Sequence, residues 1–99
     1  MNPRITRLLG LGVRAGNVVI GVSGVRGGLQ RGKLACVVLA ADAGPRTIEK
    51  VVRLAEARGV PLIRGPEAAR LGADLGRPPV QAVGVADPAL ARGLLSLEE

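Results

Sequence analysis

The sequence predicts an α/β layered domain in which about five helices cover a small four-stranded sheet. Two observations carry this expectation. Short apolar or β-branched runs at 18–20, 34–40, 60–64 and 81–85 alternate with longer segments whose apolar residues recur at helical spacing. Glycine or proline punctuates the junctions, as at Gly16, Gly32, Gly44-Pro45, Gly59, Gly65-Pro66 and Gly76. A chain of 99 residues, 47% apolar, is enough for one domain with a single core.

Taken in order, residues 3–15 read as a helix with Pro3 in its first turn, Ile5, Leu8, Leu9 and Gly12 inward, and Arg4, Arg7 and Arg14 outward. Val18-Val19-Ile20 is a short buried strand, and residues 21–31 a second helix. The unbroken apolar run 34–40 suits a strand covered on both faces. Pro45 launches a third helix with the stripe Ile48, Val51, Val52 and Ala55, and Glu49 pairs with Arg53 on its wet side. Pro61 puts the strand 60–64 at a strand start or a sheet edge. A fourth helix begins at Gly65-Pro66, with Glu67 in its first turn and Ala68, Leu71, Gly72 and Leu75 inward. Arg77-Pro78-Pro79-Val80 is an exposed stiff loop ahead of the strand 81–85. Asp87 caps a fifth helix lined by Leu90, Leu94 and Leu97.

Composition excludes several classes of function. There is no His and a single Cys, Cys36, inside an apolar run. An intramolecular disulfide, an activated thiol nucleophile and a zinc site of the usual kind are out of reach. No nucleophile–base pair, paired carboxylates or metal cluster is found, so no catalytic residue, metal or cofactor is assigned. No apolar run approaches the ~20 residues of a membrane span. Arg7, Arg14 and scattered glycines interrupt the first apolar stretch, so no signal peptide is apparent and a soluble cytoplasmic protein is expected.

The net charge is +6, and it is unevenly placed. Residues 1–41 hold Arg4, Arg7, Arg14, Arg26, Arg31 and Lys33 and no acid, whereas residues 42–99 hold eight bases and eight acids. A one-sided basic field points to a polyanion, nucleic acid before membrane. Without Phe, Tyr or Trp there is no platform on which single-stranded bases stack. An RNA partner would be held by phosphate, sugar and backbone shape.

The run 16–33 gathers these signals. A strand, then Gly21, then a helix presents free backbone N–H groups to an anion. Around it stand Arg14, Asn17, Ser23, Arg26, Arg31 and Lys33. Gly24, Gly27 and Gly28 weaken the helix by about 1 kcal/mol each relative to Ala. They either let it pack closely on its own sheet or leave room for a nucleic-acid backbone. A dinucleotide site is a poorer reading of the same run. The glycines at 21, 24 and 27 give GxxGxxG instead of GxGxxG, although Asp42 lies where a ribose-binding acid would be sought. Such a site also needs a larger doubly wound sheet to complete its crevice.

Arg4-Ile5-Thr6-Arg7-Leu8-Leu9-Gly10-Leu11, Arg14-Ala15-Gly16, Gly21, Arg31-Gly32-Lys33-Leu34-Ala35 and Val37-Val38-Leu39-Ala40-Ala41-Asp42-Ala43 resemble the kink-turn-binding ribosomal-protein family of L7Ae and L30e type. Gly59-Val60-Pro61, Leu71-Gly72, Leu75-Gly76 and Val83-Gly84-Val85-Ala86-Asp87 continue the likeness over nearly the whole chain, and it is nearest to the small bacterial branch called YlxQ. The resemblance implies a three-layer α-β-α sandwich with a four-stranded mixed sheet, and structured RNA, ribosomal or otherwise sharply bent, as ligand without catalysis. Ribosomal or transcription–translation proteins are the implied protein partners. The Asn, Glu and Lys that read a kink-turn in archaeal members fall on Ser23, Gly24 and Gly27. Asp42 matches the acid of the next loop, and Arg77, Pro78, Pro79 and Val80 match the loop that packs on flipped-out bases. The expected RNA-binding set is therefore Arg14, Asn17, Gly21, Ser23, Gly24, Arg26, Gly27, Arg31, Lys33, Asp42, Arg77 and Val80. Loss of the Glu and Lys predicts weakened kink-turn specificity. The alternative is an accessory factor that keeps the scaffold for protein interaction and has lost its RNA site.

Overall fold

The computed structural model describes residues 3–97. Its elements are α1 (Pro3–Ala15), β1 (Val18–Ile20), α2 (Val22–Gln30), β2 (Cys36–Leu39), α3 (Pro45–Ala57), β3 (Leu62–Arg64), α4 (Ala68–Asp74), β4 (Ala82–Val85) and α5 (Pro88–Ser96). The strands form one sheet in the order β1-β4-β2-β3. β4 runs antiparallel to both β1 and β2, while β2 and β3 are parallel, so the sheet is mixed.

Strand alternation divides the core into two halves. Cys36, Val38, Ile63, Val83 and Val85 face a core completed by Ile5 and Leu9 of α1, Leu71 of α4, and Ala91 and Leu94 of α5. Val37 and Ala82 face the other way, against Val25 and Leu29 of α2 and Val51 and Ala55 of α3. The result is the three-layer sandwich, with α2 and α3 on one side and α1, α4 and α5 on the other. β2 and β4 are central, and β4 is buried along its whole length, so their side chains are apolar on both faces. β3 lies at the edge, and Pro61, which has no N–H to offer, precedes it while its carbonyl accepts from Val37 N–H at 3.0 Å.

Several boundaries differ from those the sequence predicts, each for a local reason. β2 begins at Cys36, not at residue 34, because Leu34 turns inward as a plug. A Cβ on Gly28 would lie 2.8 Å from Leu34 Cγ, and one on Gly84 2.6 Å from Leu34 Cδ1. Glycine at both places makes the notch that this side chain fills, so Gly28 serves internal packing. The fourth helix starts at Ala68, since Gly65 and Pro66 still extend the sheet. Gly65 N–H donates to Leu39 C=O at 2.8 Å, and Ala41 N–H donates to Pro66 C=O at 2.9 Å. Ile48 leaves the inner stripe of α3 and is 43% exposed. The expected Glu49–Arg53 pair does not form. Its counterpart on α4, Arg70 to Asp74, closes at 3.1 Å.

The loop 77–79 folds back on α4. Arg77 N–H donates to Gly72 C=O at 2.7 Å and Val80 N–H to Ala68 C=O at 3.0 Å. A Cβ on Gly72 would collide with the Pro78 carbonyl, whereas a Cβ on Gly10 of α1 meets nothing within 4 Å. Gly72→Ala is therefore expected to destabilise the fold by about 1–3 kcal/mol. Gly10→Ala should stabilise it by up to about 1 kcal/mol. Urea unfolding midpoints of the two variants are expected to move in opposite directions.

Candidate nucleic-acid interface

Strand directions fix what meets at each end of the sandwich. Ile20 is level with Val83, Leu39 with Ala82 and Arg64, so β1, β2 and β3 all finish where β4 begins. The first turns of α2, α3 and α4 follow directly from those strand ends. The loop 77–81 leads into β4 at the same place.

At this end the chain passes into α2 through Gly21, whose φ of 101° is a conformation that L side chains rarely adopt. Gly21 N–H donates to Ala82 C=O at 2.9 Å, which ties the turn to the sheet. The first helical bond is Val25 N–H to Gly21 C=O at 3.0 Å. The N–H groups of Val22, Ser23 and Gly24 come before it, and no side chain caps them. Ser23 is exposed. A Cβ on Gly24 would make only ordinary contact with Val19, at 3.5 Å, and one on Gly27 would lie 3.4 Å from the Arg31 guanidinium. The first half of α2 therefore shows backbone and a hydroxyl where longer side chains would fit.

The neighbouring loop is fastened by two side chains. Gly44 N–H and Thr47 O–H both donate to Gln81 Oε1, at 3.3 and 2.6 Å, and so lock the start of α3 to the start of β4. Ala68 N–H donates to Asp42 Oδ1 at 2.7 Å. The Asp42 carboxylate thus satisfies an orphan donor of α4, so one of its acceptor sites is committed inside the protein. Val80 is 6% exposed and belongs to the core, while Arg77, Pro78 and Pro79 stand outside. A recess of about 340 Å³ opens beside α3 at the ends of β2 and β3, lined by Leu39, Ala41, Ile48, Leu62 and Arg64.

The expected site residues do not all converge here. Gly21, Ser23, Gly24, Asp42, Arg77 and Val80 belong to this end. Arg14, Asn17, Arg31 and Lys33 belong to the opposite one, where β1 and β2 start. Asn17 C=O accepts there from Ala86 N–H at 2.8 Å. Arg26 and Gly27 lie between, on the body of α2. The N-terminal cations also divide across the sheet, with Arg4, Arg7 and Arg14 on α1 and Arg26, Arg31 and Lys33 on or just beyond α2. The single acid-poor face expected from the charge asymmetry is thus split over two layers.

Sequence reasoning missed Gln81 and the recess. Gln81 could have been singled out as the polar residue opening an otherwise apolar run. The recess has no such signal, because Ile48 falls on the apolar stripe of α3 like any core residue.

The fold places the chain among small α/β sandwich proteins whose helix N-termini gather at one end of a mixed sheet. It belongs to the ribosomal protein L7Ae/L30e/S12e/Gadd45 family, whose model matches residues 4–94. No curated protein matches the chain significantly. Among solved structures it is similar to a Bacillus halodurans protein of unknown function, with 28% identity, 97% of each chain covered and a TM-score of 0.90. It is also similar in fold to the Giardia lamblia 15.5kD RNA binding protein, with 20% identity, 99% of this chain and 90% of that one covered and a TM-score of 0.77.

The Asp42 contact yields a measurable expectation. Asp42→Ala removes the acceptor for Ala68 N–H and should cost about 1 kcal/mol of stability, as loss of a helix cap does. Asp42→Asn keeps an acceptor and should recover most of that loss, as read from urea midpoints of the three proteins.

Proposed function

We propose that this chain is a non-catalytic protein that binds structured RNA at the end of the sandwich where α2 and α3 begin. The observation that carries the reading is the uncapped first turn of α2, entered through Gly21 at φ 101° and opened by Ser23 and Gly24. Backbone N–H groups there suit a phosphate oxygen. The aliphatic recess beside Ile48 suits the face of a base that has left its stack, and takes the place of the missing aromatic side chains. A bent RNA offers both a crowded backbone and an unstacked base, which favours it over a straight duplex. Membership of the L7Ae family and the likeness to an RNA-binding protein from Giardia support the same class of partner.

At finer grain, we assign the protein to a cytoplasmic ribonucleoprotein of the translation machinery, with weakened preference for kink-turns. Ser23 keeps a donor and an acceptor, but Gly24 and Gly27 bring only backbone to positions where the family resemblance puts Glu and Lys. Each good bidentate base contact is worth about 1–3 kcal/mol of discrimination. General RNA affinity is then kept while selectivity for the motif is reduced.

Fluorescence anisotropy with a labelled kink-turn RNA and an unbent duplex tests both statements. Binding is expected to weaken steeply with salt. The triple variant Ser23→Asn, Gly24→Glu, Gly27→Lys, in which the added side chains meet only Val19 and the movable end of Arg31, should raise preference for the kink-turn about tenfold or more. A wild-type protein that binds neither RNA would sink the reading. An unchanged preference in the triple variant would refute the account of specificity.

A further inference from the structure

A groove of about 330 Å³ runs between α2 and α3 on the outer surface of their layer. Arg26, Gln30, Glu49, Lys50, Arg53 and Leu54 line it. The two helices are parallel, both leaving the end where β1 and β2 finish. The groove therefore begins at Arg26 and Glu49, about one turn beyond the starts of the two helices, and runs towards the opposite end. There Arg58 Nη2 donates to Gln30 C=O at 2.9 Å and closes the layer.

The protein neutralises the cations on its walls only in part. Lys50 and Arg53 are exposed, and among the described residues neither they nor Arg26 makes an ion pair or a side-chain hydrogen bond. Arg26 is half-buried, and its Nε is shielded from solvent without a hydrogen-bond partner. Burial of that atom keeps the side-chain stem against the protein, with Arg26 on the groove wall. Glu49 is the acid on the wall, and it is not paired with Arg53. Three cations against one carboxylate leave an excess of two positive charges, which matches two phosphodiesters.

We propose that this groove is a second phosphate-binding track, which seats the backbone of an RNA stem leaving the bend held at the end of the sandwich. The proposal rests on the RNA-binding reading above and adds Lys50 and Arg53 to the RNA-facing surface. Neither residue reads as an RNA contact in the sequence, where both sit on the acid-balanced part of the chain and Arg53 is expected to pair with Glu49. A short RNA bound only at the end of the sandwich does not reach the groove, whereas an RNA with an extended stem does.

The test measures anisotropy with two synthetic RNAs that share one kink and differ only in the length of the stem. Lys50→Glu with Arg53→Glu is expected to weaken binding of the extended-stem RNA about tenfold or more. The slope of log affinity against log salt should flatten by roughly one for each phosphate that is no longer neutralised. Binding of the short-stem RNA should be unchanged. Glu49→Lys should tighten binding of the extended-stem RNA, a gain that misfolding cannot imitate. If the double variant binds both RNAs as the wild type does, the groove is not an RNA track and is open to another occupant such as an acidic protein; the end-of-sandwich reading then stands. If the wild type binds neither RNA, both proposals fall together.

Discussion

Gln81 and Ala82 hold the working end of this protein together. The Ala82 carbonyl accepts from Gly21 N–H and sets where α2 starts. The Gln81 carbonyl accepts from Ala40 N–H at 2.8 Å, extending the pairing of β2 past its last strand residue. The Gln81 side chain takes Gly44 N–H and Thr47 O–H, which sets where α3 starts. Three successive elements, α2, β2 and α3, thus take their positions from two adjacent residues at the mouth of a buried strand much later in the chain. Buried backbone groups left unpaired are costly, so this arrangement resists change in a way that the exposed loop at 77–79 does not.

Much of the fold was legible in the sequence, because its signals are local. β-branched runs, helix-starting prolines and stop glycines place every element, and Asp87 caps α5 as its position suggests, accepting from Ala89 N–H at 3.0 Å. The misplaced boundaries arise from interactions between distant residues. Leu34 reads as the start of a strand until Gly28 and Gly84 are seen to make a notch for it. Gly65 and Pro66 read as the start of a helix until their bonds to Leu39 and Ala41 are taken into account.

The candidate site was legible in kind and only partly in place. The turn at Gly21 and the open first turn behind it follow from the glycine pattern. Charge asymmetry along the chain did not become charge asymmetry in space, because α1 and α2 pack on opposite faces of the sheet. Arg4 and Arg26 are neighbours in composition and strangers in the fold. The same packing brings Lys50 and Arg53, from the acid-balanced part of the chain, beside Arg26. A reading of net charge by segment has no access to that.

α1 ends where β1 starts, so it runs in the same direction as α2 and α3, and this shared course has a consequence of its own. Each peptide carries a dipole, and three aligned helices put the positive ends of their macrodipoles at one end of the molecule and the negative ends at the other. The negative ends are where Arg14 occupies the last turn of α1, and Arg31 and Arg58 the C-caps of α2 and α3. These arginines neutralise the tails of the helices. At the opposite pole the backbone itself supplies part of the attraction felt by an incoming anion, a source of potential that persists when any one side chain is removed.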